Sequence, residues 1–133
     1  MKLVLDTNIF ISAFYWGGSS QKIIDRIVEG IDELYISSEI LDEISDVMSR
    51  PKFKSTAEII KKYTQSIEKI GKKVFISGKI KGVCRDKEDD DIIECGITSG
   101  ADCLITGDDD LLVLGSYQNL KILSIRDYLN MTQ

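Results

Sequence analysis

Residues 2–8 read Lys-Leu-Val-Leu-Asp-Thr-Asn, a short apolar run that ends at an acid. A continuous run of this length is typical of a strand that is buried on both faces of a parallel sheet. The polar residues that follow, Asp6 to Asn8, mark the end of this strand, and a short helix over about residues 8–15 is predicted next. The segment therefore predicts the first strand of an α/β sheet, with Asp6 at its carboxyl end.

Outward from this segment, short apolar runs alternate with amphipathic helices along the whole chain. Further strands are predicted at residues 34–37, 74–76, 103–106 and 120–123. Apolar residues at helical spacing predict helices over about residues 19–30, 38–50, 56–70, 90–100 and 126–130, with Ser19 or Ser20 and Ser38 as N-terminal caps. This order predicts a three-layer α/β/α domain around a central, mainly parallel, five-stranded sheet. No repeat or linker divides residues 1–133, which are predicted to form one domain.

The composition excludes several kinds of chemistry. The 133 residues include no histidine, which excludes Ser-His-Asp and Cys-His nucleophiles and zinc sites that contain histidine. The three cysteines form no Cys-x-x-Cys pair, so buried thiols in a reducing, cytoplasmic compartment are expected. The first apolar run meets Asp6 after three residues, so neither a signal peptide nor a membrane span is predicted.

Several acids are predicted to meet at one edge of the sheet. Ligands of such sheets bind outside the carboxyl ends of the strands, where Asp6 ends the first strand and Asp108 lies two residues beyond the fourth. An acidic run at residues 86–91 precedes the helix over about 90–100, so an acid of its first turn faces the same edge. The spacing leaves open which of Asp89, Asp90 and Asp91 this is. Taken singly, each such acid is more often a turn former or a helix cap than a ligand.

The helix over 38–50 contains four acids, and its periodicity favours one of them for the site. At 100° per residue, Glu43 lies about 100° from the centre of the apolar stripe, whereas Glu39, Asp42 and Asp46 lie roughly 140° to 160° away. Glu43 therefore borders the buried side of the helix. We expect it to be half-covered and directed across the sheet edge, with the other three acids in solvent.

Converging carboxylates need a compensating charge. Two carboxylates about 4 Å apart repel by roughly 4 kcal/mol at an effective dielectric constant of 20. These segments contain no histidine and no cluster of arginines, so a divalent cation is the expected compensation. Ligands that are all oxygen atoms favour Mg²⁺ or Mn²⁺ over zinc.

Three segments of the chain resemble the signature segments of PIN-domain ribonucleases, in order over about residues 2–129. They are Leu5-Asp6-Thr7-Asn8 with the residues that follow to Ala13, Cys84-Arg85-Asp86 with Asp89-Asp90, and Ala101 to Leu112 with its Thr106-Gly107-Asp108-Asp109-Asp110. The resemblance is closest to the prokaryotic branch assigned to the toxin components of toxin-antitoxin pairs. The first and third segments are fairly specific together, whereas either alone is weak.

The resemblance also implies a set of site residues. The catalytic and metal-binding quartet falls on Asp6, Glu43, Asp90 and Asp108, with Asp110 as an accessory catalytic acid and with Asn8 and Thr106 as supporting polar residues. Asp90 is selected because Ile93 then lies three residues further on, where the helix of the family has an apolar position. Lys87 and Gly96 stand where the family commonly has proline and alanine. The glycine is expected to weaken its helix by about 1 kcal/mol.

The activity that the resemblance implies is metal-dependent endonucleolytic hydrolysis of RNA. One or two Mg²⁺ or Mn²⁺ ions at the acids would lower the pKa of a bound water and stabilise charge on the scissile phosphate. In-line attack by this water would leave a 5′-phosphate and a 3′-hydroxyl, with no covalent intermediate. The family also implies a protein antitoxin and a homodimer as partners, and no membrane partner is expected.

A basic segment makes RNA binding plausible in a chain with a net charge of −5. Residues 50–81 hold ten basic groups and two acids, a net charge of +8. The segment is a candidate phosphate-binding face, with Phe53, Tyr63, Tyr15 and Trp16 as candidate stacking residues. Lysines on an amphipathic helix are equally common as solubilising residues. The segment from Tyr15 to Gly18 is alternatively a docking site for an antitoxin or another protomer.

Other classes of protein also carry acids at strand ends. An aspartate-based phosphatase needs an acid two residues after Asp6, where Asn8 stands, and a phosphoacceptor receiver domain needs an acid pair at the first strand. Neither pattern is evident here. A catalytically silent PIN-fold binding module stays open as a second interpretation, because the presence of the acids does not by itself establish activity. The sequence favours the ribonuclease.

Overall fold

The computed structural model of the protein describes residues 1–132 as an alternation of strands and helices. The strands are β1 (Lys2–Leu5), β2 (Glu33–Ile36), β3 (Gly71–Lys73), β4 (Cys103–Ile105), β5 (Ser116–Tyr117) and β6 (Leu120–Leu123). The helices are α1 (Thr7–Tyr15), α2 (Gly18–Val28), α3 (Ser38–Met48), α4 (Ala57–Ile70), α5 (Lys87–Ser99), α6 (Asp109–Leu112) and α7 (Ile125–Met131). A 3-10 turn, Pro51–Phe53, joins α3 to α4. None of these helices is long and apolar enough to cross a membrane.

The strands form one mainly parallel sheet in the order β3-β2-β1-β4-β6-β5. Every neighbouring pair is parallel except β5 and β6, which are antiparallel. The predicted α/β class is confirmed, and the sheet has six strands where five were predicted. The additional strand, β5, has two residues, which is too short to leave a periodic signal in the sequence. The first segment of the sequence lies at the centre of the sheet, and Leu3 and Val4 are fully buried.

The predicted third strand is wrong by three residues. Pairing with β2 occurs at Gly71–Lys73, and the apolar run at 74–76 continues beyond the strand, with Phe75 84% exposed. Gly71 permits this register because a Cβ there would lie 2.9 Å from Ile36 Cγ2, so that a larger residue would push β3 away from β2. β3 is an edge strand, where lysines are tolerated. A prediction from apolar content alone therefore misplaces β3.

The helix starts also differ from some predictions. Ser37 rather than Ser38 caps α3, because its Oγ accepts from the Ile40 amide at 3.2 Å. The helix α2 begins at Gly18 and has no side-chain cap, so neither Ser19 nor Ser20 has the predicted role. The helix α5 begins at Lys87, three residues before the predicted start near Asp90. This earlier start changes which acids belong to the first turn of α5, and therefore bears on the site.

Gly96 of α5 allows that helix to pack closely on the sheet. A Cβ at this position would lie 2.6 Å from Cδ2 and 3.0 Å from Cδ1 of Leu120, a residue of β6 that is 1% exposed. The low helix propensity of the glycine is therefore offset by close contact between α5 and β6.

Replacing Gly96 with alanine is expected to lower the free energy of unfolding by about 1 kcal/mol. The substitution improves helix propensity by about 1 kcal/mol, but overpacking typically costs about 1–3 kcal/mol, and the second effect should dominate. Urea denaturation measures the difference, and Thr98→Ala, at an exposed position of the same helix, is the control that should be neutral or slightly stabilising. A Gly96→Ala protein more stable than wild type would contradict the close packing.

Candidate active site

The carboxyl ends of the two central strands carry Asp6 and Asp108, as the sequence predicts. Asp6 follows β1 and is 4% exposed. Thr106 follows β4, and its Oγ1 donates to Asp6 Oδ2 at 2.7 Å while it accepts from the Asp108 amide at 3.0 Å. The Asp6 amide in turn donates to the Ile105 carbonyl at 3.0 Å. Thr106 therefore holds the two strand ends and their acids in a fixed relation.

Glu43 reaches this edge from α3 and is held by a neighbour of Asp6. Thr7 Oγ1 donates to Glu43 Oε2 at 2.9 Å, and Thr7 is itself buried. Thr7 is not among the site residues predicted from the sequence, where it only helps to mark the end of the first strand. Its position next to Asp6 was the available signal, but position alone does not distinguish a side chain that holds an acid from one that ends a strand.

The N-terminal turns of α5 present their aspartates in different directions. Asp90 is turned toward the preceding loop, where its two carboxylate oxygens accept from the amides of Gly82 at 2.9 Å and Cys84 at 2.8 Å. One turn further on, Glu94 accepts from the amides of Ser77, Gly78 and Ile80 at 2.6, 3.2 and 3.0 Å. Asp90 and Glu94 thus fasten residues 77–84 to α5.

Asp89 is an α5 carboxylate whose pKa is raised by burial and by acids of the other elements. Burial raises the pKa of Asp89 to about 7, and repulsion from Asp6, Asp108, Asp86 and Glu43 adds to this rise. The resemblance selected Asp90, but the five backbone amides bound by Asp90 and Glu94 give these two acids an anchoring role. The arrangement in the structure therefore favours Asp89 as the fourth acid of the site.

The remaining predicted site residues lie at the rim. Asp108 caps α6, because its Oδ1 accepts from the Asp110 amide at 2.9 Å. The side chain of Asp110 is exposed, and Asn8 is exposed in the first turn of α1. These two residues border the acidic cluster, which we define as Asp6, Glu43, Asp89 and Asp108.

The pKa values of Asp6, Glu43 and Asp89 are all raised. Burial raises the pKa of Asp6. The hydrogen bond from the Thr106 hydroxyl lowers this pKa, and repulsion from Asp108 raises it again in part. Burial also raises the pKa of Glu43, with further repulsion from Asp6 and Glu88 and an opposing hydrogen bond from Thr7. Carboxyl groups that share a site and raise one another's pKa either hold protons or bind a cation.

The cluster has the donor chemistry of a Mg²⁺ or Mn²⁺ site but an open arrangement. Its donors are all carboxylate oxygens, which suit these hard cations. Within residues 1–132, no three His, Cys, Asp or Glu side chains stand close enough together to hold a metal ion. The donor set fits the ion, and the carboxylates would have to turn inward to enclose it.

Comparison with known proteins identifies the family. A model of the PIN domain family matches residues 2–110. An uncharacterised protein of the archaeon Methanocaldococcus jannaschii is 34% identical over 124 residues, which cover 86% of this chain and 75% of that protein. The chain therefore belongs to the PIN domain family, and the resemblance drawn from the sequence is confirmed.

A solved structure shows the same fold. It is the crystal structure of VapBC2 from Rickettsia felis bound to a DNA fragment from their promoter, which matches with a TM-score of 0.67 and 20% sequence identity. The match covers 93% of this chain and 98% of the other. The architecture of this chain is thus that of an experimentally established fold.

Proposed function

We propose that this PIN-domain protein is a metal-dependent endoribonuclease and that it acts in the cytoplasm, as a homodimer, as the toxin of a toxin-antitoxin pair. The observation that carries the nuclease assignment is the convergence of carboxyl groups from β1, β4, α3 and α5, with the pKa values of Asp6, Glu43 and Asp89 raised together. The toxin assignment and the antitoxin partner rest on the likeness to VapBC2 and on the sequence signature.

Each residue of the acidic cluster and its neighbours would have a distinct role in the reaction. Asp6, Asp89 and Asp108 would hold one or two Mg²⁺ or Mn²⁺ ions, which supply a water of lowered pKa and positive charge beside the scissile phosphate. Thr106 keeps Asp6 oriented, and Thr7 keeps Glu43 oriented toward the same space. Glu43 would orient the attacking water or complete the ligand set. Asp110 and Asn8, which are exposed at the rim, would contact the RNA strand or the leaving oxygen.

RNA cleavage tests this function directly. Wild-type protein with Mg²⁺ or Mn²⁺ is expected to cut a labelled single-stranded RNA, and Asp6→Asn and Asp108→Asn are expected to reduce the rate by roughly 100-fold or more, because each removes a charge that binds the ion. Asp46→Asn removes the same charge from an exposed position of α3 and should leave the rate unchanged. Equal rates in all four proteins would refute the mechanism.

A binding module without activity is the second candidate, and the open spacing of the acids favours it. Calorimetric titration with Mn²⁺ separates the two functions. Binding that is lost in Asp6→Asn supports the nuclease, whereas no binding at millimolar Mn²⁺ supports the binding module.

A further inference from the structure

Aromatic side chains from the end of α1 and from the 3-10 turn form a surface. Tyr15 stacks on Phe53 of the 3-10 turn, with ring centroids 4.4 Å apart and planes 11° from parallel. Trp16 meets both rings edge-on, at 5.8 Å from Tyr15 and 6.2 Å from Phe53. We call these three residues the aromatic platform. Trp16 is 71% exposed, so together with its two ring neighbours it presents a contiguous aromatic surface to solvent, the kind of patch that marks interaction sites.

The platform is held in place from below. The Tyr15 hydroxyl lies 2.6 Å from Ser55 Oγ, and Phe14 packs on Tyr63 at 4.5 Å. The Tyr63 hydroxyl donates to the Phe10 carbonyl at 2.7 Å. The rings of Tyr15 and Phe53 are therefore preorganised, and a planar ligand that stacks beside Trp16 would need little rearrangement of the protein.

The surroundings of the platform are cationic. Lys52 Nζ lies 5.0 Å from the centre of the Phe53 ring, and Arg50 and Lys54 are exposed next to it in the chain. Within residues 1–132 these three cations form no ion pair, in contrast to Lys62, Lys72 and Lys73. An exposed tryptophan with two partly buried rings behind it, beside cations that form no ion pair, is complementary to a single strand of nucleic acid, whose bases stack and whose phosphates are negative. An apolar protein surface would leave these charges uncompensated.

The helix α1 links the platform to the acidic cluster. Asp6 immediately precedes α1 and Trp16 immediately follows Tyr15 at its end, so ten residues separate them, or about 15 Å at the rise of an α-helix. Asn8, Ser12 and Tyr15 recur at helical spacing along the uncovered side of α1. A few nucleotides of an extended strand span this distance.

We propose that the aromatic platform binds the bases of the single-stranded RNA substrate a few nucleotides from the scissile phosphate, with Arg50, Lys52 and Lys54 on the neighbouring phosphates. This inference rests on the proposed function, because the strand that it binds is the one cut at the acidic cluster. The platform thereby selects unpaired RNA over a duplex, in which the bases are already stacked and are not available to Trp16.

The single tryptophan of the chain makes the test specific, since Trp16 is its only source of indole fluorescence. A ten-nucleotide oligouridine titrated into the full-length protein in EDTA, where no cleavage occurs, is expected to quench Trp16. Fluorescence anisotropy of a labelled oligouridine should show roughly tenfold weaker binding for Trp16→Ala and for Phe53→Ala, from the loss of base stacking, and near wild-type affinity for Trp16→Phe. Phe75→Ala, at another exposed aromatic residue, is the matched control and should bind normally.

The outcomes separate this inference from the nuclease function. Quenching with tenfold losses supports the platform even if no RNA is cut, and unchanged affinities in Trp16→Ala and Phe53→Ala overturn it even if RNA is cut. Sedimentation of the same variants tests whether a second copy of the chain, and not RNA, occupies the platform. If Trp16→Ala converts a dimer into a monomer while its RNA affinity is unchanged, the platform is a contact between copies of the chain and the inference fails.

Discussion

Asp89→Asn is expected to reduce RNA cleavage by roughly 100-fold or more without weakening the fold, whereas Asp90→Asn is expected to act mainly on stability. Burial raises the pKa of Asp89 to about 7, and repulsion from Asp6, Asp108 and Glu43 adds to the rise. Removal of its charge would take one proposed ligand from the site and would also relieve this repulsion. Single-turnover cleavage in Mn²⁺ measures the first effect, and urea denaturation in EDTA measures the second.

Asp90 makes a different contribution, since its carboxylate accepts from the Gly82 and Cys84 amides. An asparagine presents one acceptor and an NH₂ group that cannot accept, so one of the two partly buried amide hydrogen bonds is lost. The loss is expected to be about 1–3 kcal/mol, and hydrogen exchange at Gly82 and Cys84 should accelerate. Cleavage should fall far less than in Asp89→Asn, because the change reaches the site only through the loop.

Three consecutive aspartates supply their own control. Asp91 is buried and pairs with the exposed Lys87 at 3.3 Å, so Asp91→Asn removes the same charge from the same helical turn. Cleavage should change little, and any loss of stability reports the ion pair with Lys87 and not the site. If Asp90→Asn abolishes cleavage in the folded protein while Asp89→Asn keeps it, the assignment implied by the family resemblance is correct and the one drawn from the structure is not.

The parts of the fold and site that the sequence predicts well are those governed by burial and topology. The apolar run before Asp6 must lie inside the sheet, and parallel strands place their carboxyl ends at one edge. The positions of Asp6 and Asp108 at this edge can therefore be predicted without knowledge of any contact. The choice of Glu43 on α3 follows from the angle between an acid and an apolar stripe, because that angle depends only on helical geometry.

The choice among the α5 aspartates depends on contacts that the sequence does not reveal. To choose among them, one must know which residue begins α5 and which path the irregular segment before it takes. Both are set by hydrogen bonds from residues 77–84 to Asp90 and Glu94. Glu94 is 2% exposed within an otherwise apolar stretch. Its spacing of four residues from Asp90 was the available signal. The shifted β3 has a similar origin, since only the approach of Gly71 to Ile36 fixes its register.

In EDTA, the free energy of unfolding is expected to fall as the pH rises from 5 to 7.5. Divalent cations are expected to reverse this trend. The pKa of Asp89 is raised to about 7 in the folded protein, from about 3.9 in the unfolded chain. Between these values the unfolded chain releases a proton that the folded protein keeps, so each step up in pH favours unfolding. The raised pKa values of Asp6 and Glu43 act in the same direction.

Asp32 does not obscure this effect. Burial alone would raise its pKa, but hydrogen bonds from Arg26 and the N-terminal ammonium outweigh burial and lower it. A lowered pKa gives stability that is complete above the unfolded value and is lost only as pH falls through the folded value. The contribution of Asp32 is therefore constant between pH 5 and 7.5, and the slope in this window belongs to the acidic cluster.

The shift of Asp89 corresponds to about 4 kcal/mol at most, and partial access of solvent to the sheet edge should reduce the observed loss to about 2 kcal/mol. Urea denaturation at several pH values in EDTA measures it. Asp89→Asn should flatten most of the slope and exceed wild type in stability at pH 7.5, while Asp46→Asn keeps the wild-type slope. Mn²⁺ binds deprotonated carboxylates, so its affinity should rise with pH. A fixed Mn²⁺ concentration that is 100 times the dissociation constant at pH 7.5 should add about 2.7 kcal/mol to the free energy of unfolding there and less at pH 5. Identical slopes in wild type and Asp89→Asn, with no response to Mn²⁺, would show that the four carboxyl groups do not form one electrostatic unit.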